Sequence, residues 1–183
     1  MKKLVLSILL VSIFGMVQSQ VTFKPGVRLG LNIASISNID DGSKTDFHAG
    51  IFGELKLGDV YALQPEINYT KQGSEHLDLD YLSISIANKF YILSDETPLF
   101  ILIAPGMDFN LHGQTESYSN EYGAGVNFDA DISFTGGVGY DFPFGLGVEA
   151  RYKQGIIDVF QEADKRLNNV IQLSASYKFD FGR

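Results

Sequence analysis

Along this chain, apolar and polar residues alternate with a period of two in eight separate stretches. Successive side chains of an extended strand point to opposite faces, so each stretch is a strand with one apolar and one polar face. In the first, Val27, Leu29, Leu31 and Ile33 share one face, and Arg28, Gly30 and Asn32 share the other. The last alternates Ile171, Leu173, Ala175, Tyr177, Phe179 and Phe181 with Gln172, Ser174, Ser176, Lys178 and Asp180. The connections read long, short, long, short. Polar loops cover Ser35 to Asp46, begin at Gly73, and cover Leu111 to Asn127 and Gly155 to Asn168. Tight turns fall at Gly58-Asp59, Ser94 to Thr97 and Pro143-Phe144-Gly145. Strands joined this way run up and down, with the long loops at one end and the turns at the other.

Two positions disturb the pattern. Pro65 lies inside the third strand, where it donates no ladder hydrogen bond, and a local bulge is expected there. In the fourth strand Leu77 and Leu79 fall on the opposite parity to Leu82, Ile84 and Ile86, which predicts a bulge or a phase break near Tyr81.

The N-terminus adds a compartment. Lys2 and Lys3 precede an apolar run from Leu4 to Val17, and Ser19 offers a small side chain before Gln20. This is the pattern of a signal peptide over residues 1–19, leaving residues 20–183 as one domain. A spanning helix needs roughly 20 apolar residues, and no other apolar run is long enough. The chain has no cysteine and a formal net charge of −8, which becomes more negative once Lys2 and Lys3 are removed. That balance argues against a nucleic-acid partner, which requires clustered Lys and Arg.

Which face turns inward decides the class of barrel. The polar faces hold many small residues, among them Gly30, Gly50, Ala87, Gly106, Gly137, Gly139 and Gly147. These suit a crowded interior better than a surface. The same faces hold Arg28, Lys56, Lys89, Arg151, Lys153 and Lys178 against Glu54, Glu66, Asp108, Asp131, Glu149 and Asp180. Buried charges must be paired, and this even set allows it. The expected fold is therefore all-β: an eight-stranded antiparallel up-and-down transmembrane β-barrel, apolar outside. Arg28, Glu54, Glu66, Lys89, Glu149, Arg151 and Lys153 form its interior network, closing an interior only wide enough for side chains. Tyr61, Tyr69, Phe90, Phe142, Phe144, Tyr177 and Phe179 read as interfacial girdles. A secreted lipocalin-like lipid-binding barrel is the alternative, with the apolar faces inward.

Chemistry is sparse. No nucleophile elbow, phosphate loop or metalloprotease helix motif occurs. His48, His76 and His112 all belong near the long-loop end, with Asp78, Asp80 and Asp108 nearby, but sit on separate segments. Solvated side chains are the ordinary reading of such histidines. No catalytic, metal or cofactor site is expected. The loop with Tyr118, Asn120 and Tyr122 is a place where an unknown surface ligand or envelope protein could bind.

Four segments resemble the small outer-membrane barrel domain of Bacteroidota known as the PorT-like family. They are Gly26-Val27-Arg28-Leu29-Gly30-Leu31-Asn32, Gln64-Pro65-Glu66-Ile67-Asn68-Tyr69, Tyr81-Leu82-Ser83-Ile84-Ser85-Ile86, and Glu149 to Ile156. Ser83 and Ser85 depart from the acid and proline usual in the third. The resemblance implies an outer-membrane location with periplasmic termini, contact with outer-membrane lipid, and a structural or surface-binding role. It also implies that the barrel-assembly machinery reads Tyr177-Lys178-Phe179-Asp180-Phe181. An accessory role in protein secretion at the outer membrane is the further alternative it raises.

Overall fold

The computed structural model describes residues 21–36, 42–74, 77–92, 98–113, 130–156 and 167–181. The strands are β1 (Thr22–Ile36), β2 (Lys44–Lys56), β3 (Tyr61–Ser74), β4 (Leu77–Tyr91), β5 (Leu99–Gly113), β6 (Ala130–Asp141), β7 (Leu146–Gly155) and β8 (Asn168–Lys178). Each pairs antiparallel with its sequence neighbour, and β8 closes on β1 from Gly26–Lys178 to Ile36–Asn168. Closure leaves no sheet edge along most of the wall, as a membrane-spanning sheet requires. The signal-peptide segment, the Ser94 to Thr97 turn, His76 and the loop with Tyr118, Asn120 and Tyr122 lie outside the described residues.

The two faces sort as the alternation predicts. Val27, Leu29, Leu31, Ile51, Ile67, Ile84, Ile86, Ile101, Ile103, Val138 and Leu173 are all exposed on the outer wall. Arg28, Glu66, Lys89, Asp108, Glu149, Arg151 and Lys153 are all buried inside. A soluble barrel inverts this arrangement, so the secreted lipid-binding alternative does not describe this wall. Aromatic pairs mark both margins. Tyr61–Phe90, Tyr140–Phe142 and Tyr177–Phe179 contact one another at the end bearing the turns, and Phe47–Tyr69 at the end bearing the loops.

Two expectations need correction, and a third holds with the extra residue on the partner strand. Pro65 produces no bulge. β3 pairs with β4 in unbroken register through Leu63–Asn88, Pro65–Ile86 and Glu66–Ser85. On the β2 side, pairing lapses between Phe52–Glu66 and Leu55–Leu63 and resumes in the same register. The missing N–H is accommodated by an unmade rung rather than an extra residue.

Near Tyr81 the register against β5 does shift, from Asp80–His112 to Tyr81–Asn110. The extra residue is therefore Leu111 on β5, and the parity of β4 is unbroken. Leu79 and Tyr81 face inward with Ser83, because the loop-end interior is capped by apolar groups, which also include Val170.

Connection lengths alternate less cleanly than the sequence suggests. β3 and β4 are paired out to Ser74–Leu77, so only residues 75–76 join them at the loop end. Gly73 and Ser74, expected to open the loop, continue the ladder instead.

Candidate functional site: a charge stack inside the barrel

The interior is organised from the middle outward. Arg28 on β1, Glu66 on β3, and Glu149 and Arg151 two residues apart on one face of β7 meet at the barrel axis. Glu66 accepts from Arg28 Nη1 at 2.9 Å and from Arg151 Nη1 and Nη2, both at 2.9 Å. Glu149 accepts from Arg151 Nε at 2.7 Å and pairs with Arg28 Nη2 at 3.1 Å. The four side chains form a closed ring of alternating charge, each no more than 4% exposed. Gln64 Nε2 and Ser85 Oγ donate further to Glu66, at 2.6 and 3.3 Å.

Small neighbours make room for this ring. Arg28 is flanked across its ladders by Gly50 and Ser176, and Arg151 by Gly137. A Cβ on Gly137 would lie 2.9 Å from Arg151 Cγ. The glycines of the polar faces thus leave space for long charged side chains to cross the lumen. Isolated buried ions are costly, whereas matched, multiply bonded ones offset much of that cost.

A second cluster lies toward the turns. Lys89 Nζ donates to Glu54 at 2.8 Å and Asp141 at 3.0 Å, and Lys178 Nζ to the same two at 2.9 and 2.6 Å. The Tyr91 hydroxyl lies 2.8 Å from Asp141, and the Lys89 ammonium stands 3.8 Å from the centre of the Phe100 ring. Toward the loops, Lys153 Nζ donates to Asp108 at 2.6 Å and Ser83 at 3.1 Å.

The seven network residues named from the sequence thus fall in three clusters rather than one. Asp141 belongs to the set although it was not counted there. Asp180 does not belong: it pairs with Lys24 at 2.7 Å where both are substantially exposed. Lys56 stays half-buried near the turn end, over the Tyr91 ring.

The histidines do not form a common site among the described residues. His48 is buried, its Nδ1 2.7 Å from Asn32 Oδ1 and its Nε2 2.9 Å from Ser174 Oγ. His112 is placed by backbone opposite Asp80. Among the described residues no group of three His, Cys, Asp or Glu side chains is arranged to hold a metal ion.

Space inside is unevenly distributed. Around Arg28, His48, Glu66, Arg151 and Lys153 only about 20 Å³ is free. Below the second cluster, a vestibule of about 560 Å³ opens at the turn end, lined by Lys24, Glu54, Lys56, Tyr91, Asp141 and Lys178.

An apolar outer wall, aromatic margins and a paired ionic interior define a small transmembrane β-barrel of the outer-membrane type. The chain belongs to the outer membrane protein beta-barrel domain family, whose model matches residues 5–179. Among solved structures it is similar to Neisserial surface protein A, with TM-score 0.54 and 16% identity over 88% of this chain and 100% of that one. It is also similar to Ail of Yersinia pestis in a phospholipid nanodisc, with TM-score 0.52 and 12% identity over 86% of this chain and 100% of that one. At these identities the likeness concerns the fold. No curated protein sequence matches the chain.

Proposed function

We propose that this protein is a sealed, non-enzymatic outer-membrane scaffold whose loop end carries its binding role, with turns and termini in the periplasm. The observation that carries this reading is the ring of Arg28, Glu66, Arg151 and Glu149. It fills the lumen at mid-height and uses its charges on one another rather than on a solute. An eight-stranded barrel has little spare lumen to begin with. Function is then left to the ends, and the loops are the segments free to vary. The finer assignment to the PorT-like group of Bacteroidota rests on the four segments quoted above.

Orientation is testable because the chain has no cysteine. Ser43→Cys, at the loop end, and Asp59→Cys, at the turn end, are both exposed positions. A membrane-impermeant maleimide applied to whole cells is expected to label the first and spare the second. The reverse pattern overturns the orientation, and a soluble periplasmic pool labelled only after lysis overturns the membrane reading.

A further inference from the structure

The seam between β2 and β3 stops short of the loop end. It ends at His48–Thr70, whereas β1–β2 runs on to Ala34–Lys44 and β3–β4 to Ser74–Leu77. Lower down, the same seam lapses opposite Pro65, as β4–β5 lapses opposite Pro105 between Ser85–Gly106 and Asn88–Ile103. Two wall ribbons therefore diverge toward the loop end, and Gly73 turns the β3 backbone at a φ of 118° just beyond the fork. Such a positive φ is open mainly to glycine.

The fork is occupied by a side chain from a third strand. Asn32, fully buried on β1, donates through Nδ2 to Lys71 O at 2.7 Å and Thr70 Oγ1 at 2.8 Å. Its Oδ1 accepts from His48 Nδ1 at 2.7 Å and Gln172 Nε2 at 3.0 Å. On the other side, Phe47 N–H is taken by the Asp46 carboxylate at 2.9 Å rather than by β3. Side-chain bonds have replaced ladder bonds where the strands part.

We propose that β2–β3 is the seam along which this barrel opens, and that Asn32 is the latch holding its loop end shut. Opening there joins the outer wall to the polar interior above the charge ring, lined by Asn68, Thr70 and Ser83, without disturbing the ring. The terminal seam, β8–β1, is continuously paired and is not the one that yields. In a membrane a backbone group without a partner is costly, so opening starts where the two strands have already parted at one end.

Amide hydrogen exchange on the full mature chain in lipid nanodiscs tests this. Backbone amides of residues 47–50 and 68–71 are expected to exchange before those of every other seam. Asn32→Ala should speed exchange there about tenfold, the equilibrium weight of one buried hydrogen bond, and leave β5–β6 and β6–β7 unchanged. Thr70→Val removes a single acceptor of the latch, and should give a smaller rise in the same place if Asn32→Ala fails to fold. First exchange at β8–β1, uniform exchange around the barrel, or a rise in the variants spread over all seams would overturn the proposal.

Discussion

Arg151 and Glu66, on β7 and β3, meet across the lumen with both guanidinium Nη atoms 2.9 Å from the carboxylate oxygens. Glu66 also receives Arg28, so one carboxylate ties β1, β3 and β7 together where no backbone ladder joins them. This makes Glu66 the hub of the interior.

Glu66→Gln should therefore be the most damaging conservative change in the stack. It leaves two buried guanidinium groups sharing Glu149, and breaking a buried ionic set in this way costs about 3 to 5 kcal/mol. Denaturant unfolding in micelles, read by tryptic resistance or by the heat-dependent gel shift of the folded form, measures it. Unchanged stability would show that the ring does not hold the barrel.

Asp141 and Asp180 make a paired test of where the interior ends. Asp141→Asn removes charge from a cluster holding Lys89 and Lys178 and should cost roughly 2 kcal/mol or more. Asp180→Asn removes charge from the exposed pair with Lys24 and should cost less than about 0.5 kcal/mol. Equal effects in the same unfolding assay would contradict the placement.

Two glycines of β6 separate inside from outside. A Cβ on Gly139 would lie 2.3 Å from the Phe100 ring, whereas one on Gly136 would meet nothing within 4 Å. Gly139→Ala should destabilise by about 1 to 3 kcal/mol, as overpacking does. Gly136→Ala should be neutral or slightly stabilising. The two unfolding midpoints decide it.

The strand faces were legible because a one-residue change of parity moves a side chain from lipid to lumen, a constraint that leaves a strong period. That is why Arg28, Glu66, Glu149 and Arg151 could be named together. Strand ends carry no such signal. Asp180 shares the parity of Lys178 but lies past the end of β8, where alternation no longer says which side is inside. Asp141, at the end of the polar face of the sixth stretch, is the last inward residue of β6. The division into three clusters was not legible, since it depends on the height at which each strand crosses the wall. Gly73 and Ser74, expected to open the loop, are ladder because β4 supplies partners to them. The Asn32 latch ties β1 to three other strands, β2, β3 and β8, and has no local pattern at all.

Planar-bilayer recording of the refolded mature chain tests the sealed interior most directly. With the ring of Arg28, Glu66, Arg151 and Glu149 intact, no steady ion current is expected, and Glu66→Gln should raise the frequency of brief openings. A persistent ohmic current through the unmodified barrel would contradict it.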